Sequence, residues 1–176
     1  MKLLLPDEIE RQMKRELRAA GRREIGGVLL GELVRPGVFR VAEITVQRTG
    51  GTSSTFVRIP RLHADAIKAF LERTGHRYER FNYLGEWHSH PSYPTRPSGS
   101  DVRAMEEILR NPVMAVNFAL LSIVKIPAAG FEISSYAFVR DTRFAEIATI
   151  SDRISIKKRD WRTSGRAPLD RMETSQ

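Results

Sequence analysis

The segment Glu24 to Val34, EIGGVLLGELV, is mostly apolar yet carries three glycines. A short apolar run with interior glycines reads as a buried strand where other backbone comes close. Such a strand needs neighbours on both sides, and the flanking sequence offers them. Arg35-Pro36-Gly37 is a turn, and Val38 to Gln47 reads as the returning strand. Upstream, Pro6 to Ala20 reads as an amphipathic helix with Ile9, Met13 and Leu17 spaced four apart, closed by Gly21.

Further along, a polar loop runs from Arg48 to Thr55, and Phe56 to Ile59 reads as a short strand. Pro60 opens a second helix through about Arg73, with Leu62, Ala66, Ala69 and Phe70 at helical spacing. Asn82 to His88 is the next strand, followed by a proline-rich loop from Pro91 to Pro97. A third helix is expected from Ser100 to Arg110, facing the core with Val102, Met105, Ile108 and Leu109 and stopped by Asn111-Pro112. Ala115 to Val124 and Phe131 to Arg140 are two more strands, and Phe144 to Ile150 fits a last strand or a helix start. No linker or repeat divides the 176 residues, so one α/β domain is expected over residues 1–150, with a basic tail over 151–176.

Composition removes several classes of function. There is no cysteine, which excludes disulfides, thiolate zinc sites and a cysteine nucleophile, and makes a reducing cytoplasm the expected compartment. The opening MKLLLP is too short for a signal peptide, and no run of about 18 apolar residues exists, so no membrane role is expected. The net charge of +8 favours acidic partners. That charge is dispersed, however, and no aromatic-interleaved basic motif accompanies it, so nucleic acid is not the expected partner.

The chemistry concentrates in GEWHSHPSYPTRPSGSD, from Gly85 to Asp101. His88 and His90 stand two apart at a strand end, which puts both imidazoles on one face. Asp101 falls in the first turn of the third helix, where the helix dipole favours a carboxylate. Two histidines and a carboxylate make the tripod of a catalytic zinc site with water in the fourth position. On spacing alone, a pair of packed histidines beside a helix-capping aspartate fits as well. Glu86 is in period with the histidines and is a rival base or ligand, whereas His63 and His76 lie outside any ligand spacing and read as packing or surface residues.

His88-Ser89-His90, seven residues, Ser98, two residues and Asp101 together resemble the JAMM/MPN+ metalloprotease signature, H-[ST]-H-x7-S-x2-D. That family's remaining catalytic residue is a glutamate on an upstream strand, and Glu24 in REIGGVLLGE matches it in type, setting and distance. Gly85 and Pro91 agree at the flanks, and the resemblance runs from roughly Glu24 to Val139. It implies a JAB/MPN-like α/β (α+β) domain, a curved mixed sheet flanked by helices. It implies Zn²⁺ held by His88, His90 and Asp101, with Glu24 as general base and Ser98 donating to the oxyanion.

The compact length and the wording YLGEWHSHP most resemble the prokaryotic JAB-type deconjugases, some of which sit beside activating-like and conjugating-like enzymes in antiphage operons. The implied activity is hydrolysis after the C-terminus of a ubiquitin-like protein or a similarly conjugated protein. The implied tail recognition is along a sheet edge, with Tyr93 and the proline-rich loop as one wall. Two other roles occur on this fold: processing of sulfur-carrier proteins and association with nucleic acid.

Overall fold

In a computed structural model, which describes residues 1–112, 114–128 and 130–152, the chain begins with a strand that the sequence pattern leaves unassigned. This strand, β1 (Lys2–Pro6), buries Leu3 and Leu5 by simple alternation. It runs parallel to β3 (Val38–Ile44) on one side and to β7 (Ala145–Asp152) on the other. Those two pairings close the sheet into a barrel of order β1-β3-β2-β4-β5-β6-β7, the other strands being β2 (Gly26–Arg35), β4 (Phe81–Ser89), β5 (Phe118–Lys125) and β6 (Glu132–Val139). The last apolar stretch, ending at Ile150, is thus strand rather than helix. The β4 to β5 pairing is also parallel, and its crossover carries helix α3 (Gly99–Arg110). The expected mixed, curved sheet with flanking helices, an α/β (α+β) domain, is the fold observed.

The two faces of the sheet are covered by different helices. Helix α1 (Asp7–Ala20) buries Ile9, Met13 and Leu17 against Leu29, Trp87, Leu120 and Val124. Helix α2 (Ala64–Arg73) and α3 cover the opposite face, where Phe70, Met105, Ile108 and Leu109 meet Val28, Leu30, Ala119 and Leu121. The alternation along β2 is what makes this possible: Val28 and Leu30 face one way and Leu29 the other.

Several expectations need correction. Phe56 to Ile59 is not a strand; the segment makes a single bridge, Gly51 with Phe56. Leu62 does not face the core but is exposed, because Pro60–Leu62 forms a separate 3-10 turn and α2 begins only at Ala64, which shifts the phase. The boundary expected at residue 150 falls inside β7. The tail expected beyond it lies, from residue 153 on, outside the described residues.

A bulge in β4 sets which side chains reach the site. Opposite Leu29 and Leu30 the register skips Leu84, so Tyr83 and Glu86, three apart, share a face. Gly85 sits at this bulge with φ of +148°, and a Cβ there would lie 1.9 Å from the Leu120 carbonyl oxygen. Barrel closure has an ionic clasp as well. Arg40 of β3 donates to Glu32 of β2 at 2.6 Å and to Asp152 of β7 at 2.7 Å, and Arg80 adds a contact to Glu32 at 3.3 Å. Both carboxylates are buried, so removing the guanidinium takes a charged partner from each of them. Arg40→Ala should therefore cost more than about 2 kcal/mol in urea unfolding. Removing the more exposed Arg48–Glu16 pair by Arg48→Ala should cost less than about 1 kcal/mol. Equal losses would mean that the clasp adds nothing beyond a surface pair.

Candidate active site

Strand β4 is hydrogen-bonded on both sides, to β2 and to β5, so the backbone at His88 is fixed against Gly26 and Ile123. His90 follows directly and its amide donates to the Val124 carbonyl at 2.9 Å. Period two then brings the two imidazoles together, with Nε2 of His88 and Nε2 of His90 3.0 Å apart. His90 Nδ1 lies 2.8 Å from the Pro94 carbonyl, which only accepts, so Nδ1 carries a proton and Nε2 is the nitrogen turned toward His88. Burial holds the His88 imidazole well below its ordinary pKa, opposed in part by Asp101, and so keeps it neutral.

Asp101 reaches the same point from the first turn of α3. Its Oδ1 is 3.5 Å from His88 Nε2 and its Oδ2 is 3.9 Å from His90 Nε2. The same carboxylate completes a capping box with Ser98: the Ser98 amide donates to Asp101 Oδ2 at 2.7 Å, and the Asp101 amide donates to Ser98 Oγ at 3.2 Å. Helix cap and ligand, alternatives on spacing alone, are thus compatible roles of one residue. Among the described residues, His88, His90 and Asp101 form the group of acidic and imidazole side chains able to hold a metal, their ligand atoms within 4.8 Å of one another. Two imidazoles converging beside a carboxylate suit Zn²⁺ and leave a position open.

Glu24 lies two residues before β2 rather than within it, and is only 4% exposed. Its amide donates to the Thr52 carbonyl at 2.7 Å, and Gly51 packs so closely that a Cβ there would lie 1.9 Å from the Glu24 carbonyl oxygen. Burial first, and the nearby Asp101 charge second, raise its carboxyl pKa from 4.5 to about 7. Glu24, the His pair, Ser98 and Asp101 all line one cavity of about 780 Å³. Glu86 also lines it, but its carboxylate is paired with Arg58 and accepts from the Tyr83 hydroxyl at 3.4 Å. It is outside the metal-competent group. His63 is buried with Nδ1 2.6 Å from Thr45 Oγ1, and His76 is exposed beside Tyr78; both are the packing and surface residues expected.

Sequence reasoning missed several contributors. Ser89, between the histidines, accepts from the Ile25 amide at 3.0 Å and so ties the residue after Glu24 to β4. Phe56 stacks on His88 with centroids 6.3 Å apart, and Arg58 meets Glu86. Phe56 and Arg58 belong to an irregular segment, where no periodicity marks them.

With the fold and site in view, comparison with known proteins assigns a family. The chain belongs to the prokaryotic homologs of the JAB domain, whose model matches residues 6–139. One relative, the CD-NTase/cGAS isopeptidase of Enterobacter hormaechei subsp. hoffmannii (strain UCI 50), is 31% identical over 134 residues. That match covers 72% of this chain and 66% of the relative's own length. The fold also resembles solution structures of a Desulfitobacterium hafniense protein (TM-score 0.67, 20% identity, 90% of this chain and 97% of that one) and a Salinibacter ruber protein (TM-score 0.54, 22% identity, 88% and 94%).

The raised pKa of Glu24 has a consequence for stability. Between pH 4.5 and about 7 the folded chain keeps a proton that the unfolded chain has released, so stability falls as pH rises through that window. Above it the full penalty of the buried charge is present. Glu24→Gln should therefore stabilise the metal-free protein at pH 8, by roughly 1–3 kcal/mol, and change it little at pH 4. Thermal melts in chelator at the two pH values check this; a variant less stable than wild type at pH 8 would contradict it.

Proposed function

We propose that the chain is a zinc-dependent isopeptidase that hydrolyses the bond after the C-terminus of a ubiquitin-like protein, or of a protein joined to its target by similar chemistry. The observation that carries this is the convergence of His88, His90 and Asp101 with the carboxyl of Glu24 in one cavity. Membership of the JAB family and the 31% identical relative named as an isopeptidase support the same reading. By that relative's name, a nucleotidyltransferase of the CD-NTase/cGAS kind is the proposed conjugated protein. The proposed setting is a cytoplasmic antiphage conjugation system with activating-like and conjugating-like partners. Among the described residues no helix is long and apolar enough to cross a membrane.

Zinc held by His88, His90 and Asp101 would supply Lewis acidity toward a water and the scissile carbonyl. Glu24, with a pKa of about 7 in the metal-free fold, is poised to take the water's proton and pass it to the leaving amine. Ser98 Oγ accepts from the Asp101 amide and lies 2.8 Å from Ser100 Oγ; with Ser100 as the donor of that contact, the Ser98 hydroxyl proton would be given to the oxyanion. The acyl group is never transferred to a side chain. Because the barrel is closed, the substrate tail would lie instead between segment 52–58 and α3, with Tyr93, edge-on to His90, at one end.

Metal analysis after mild dialysis should give one zinc per chain, lost in His88→Ala and His90→Ala. Glu24→Gln should retain the zinc and lose about 10²–10⁴ in turnover of a conjugate. Glu86→Gln should remain far more active. A wild-type protein that cleaves a conjugate while free of metal would sink the mechanism, and an active Glu24→Gln with a dead Glu86→Gln would transfer the role of base to Glu86.

A further inference from the structure

We propose that Gln47 is a positioning residue, whose amide closes the segment 48–59 over the active site and through it fixes the backbone of Glu24. This rests on the reading of Glu24 as the base. Gln47 lies just past β3, exchanges backbone hydrogen bonds with Gly26, and is 2% exposed. Its Nε2 donates to the Thr49 carbonyl at 2.8 Å and to the Val57 carbonyl at 2.9 Å, and its Oε1 accepts from the Ile59 amide at 2.8 Å. Both N–H groups and one carbonyl lone pair of a single side chain are thereby used to join the two ends of the segment.

Apart from the exposed Arg48–Glu16 pair at its start and its contacts with the site, the segment has little else to hold it. It contains no fully buried side chain, Val57 is 61% exposed, and its internal order is one turn, Thr52 to Thr55, and the Gly51–Phe56 bridge. Ordering such a polar loop costs chain entropy that no core of its own repays. Yet it touches the site at Glu24, His88 and Glu86. The Thr52 carbonyl takes the Glu24 amide, Gly51 lies against the Glu24 carbonyl, Phe56 stacks on His88, and Arg58 pairs with Glu86. A loop released from Gln47 would free the Glu24 amide from the Thr52 carbonyl while leaving the barrel pairings intact.

The test is amide hydrogen exchange by NMR on the full chain, with conjugate hydrolysis and zinc content measured in parallel, for Gln47→Ala and Gln47→Glu. The second variant keeps the shape and the acceptor for Ile59 but sets an oxygen against two carbonyls. In both, the amides of Glu24, Thr52 and Ile59 should exchange at least about tenfold faster, while β4 and β5 amides keep their protection. Zinc content should be unchanged and kcat should fall at least about tenfold, more than KM changes. Unchanged protection at Glu24 would overturn the proposal. So would protection lost evenly across β2, β4 and β5, which would make Gln47 a general stabiliser, and so would a loosened Glu24 with wild-type kcat. If Gln47→Ala fails to fold, Gln47→Glu decides. If the wild type cleaves no conjugate, the isopeptidase reading fails, and the Glu24 amide still decides whether Gln47 positions it.

Discussion

The antiparallel pairing of β2 with β4 is the constraint on which the site depends. Gly26 opposite His88 brings Glu24, 64 residues earlier in the chain, to the cavity that the His pair faces. A slip of one residue would turn every β4 side chain to the other face, exchanging His88 with Trp87. The register is pinned at three levels. Ser89 takes the Ile25 amide, the indole of Trp87 donates to the Thr45 carbonyl at 2.9 Å, and Gly85 admits the Leu120 carbonyl at the bulge. A strand that turns His88 to the cavity on one face is therefore held by its other face.

The same geometry concentrates acidic groups where a stable fold would avoid them. Glu24, Glu86 and Asp101 line one cavity, and the described side chains there answer them unequally. Glu86 has Arg58, Asp101 has the Ser98 amide, and Glu24 is held by burial rather than by a cation, which is why its proton is retained to about pH 7. The His88 imidazole, kept neutral by burial, adds no positive charge. Such an imbalance costs stability in the isolated fold, and a bound cation would offset it, so folding stability and metal affinity are coupled through these carboxylates.

How much of this was legible in the sequence depends on the length scale of the interaction. Helices α1 and α3 were legible because Ile9, Met13 and Leu17, or Met105, Ile108 and Leu109, repeat within one element. The His pair and Asp101 were legible because their spacings are local to a strand and a helix start. β1 was not: Lys2–Pro6 is short, abuts a helix, and gains its partners, β3 and β7, from more than 30 and 140 residues away. The phase of α2 was misread because Pro60 begins a 3-10 turn and not the helix itself. Gln47 and Arg58 were invisible, since a buried amide closing an irregular loop leaves no period and no motif.

The signature that carries the resemblance can be resolved into separate physical requirements. The two-residue step of His88 and His90 is the strand period that aims both rings at one point. The interval from Ser98 to Asp101 is the capping-box interval, which orients the carboxylate before any metal is bound. The seven residues between them must cross from the end of β4 to the start of α3, and they do so under restraint. His90 holds the Pro94 carbonyl, Tyr136 donates to the Thr95 carbonyl at 2.9 Å, and Thr95 Oγ1 donates to Glu132 at 2.7 Å. His90 and Asp101 are thus each fixed by a bond made for a structural reason, so the entropy of bringing them together is met in folding the domain.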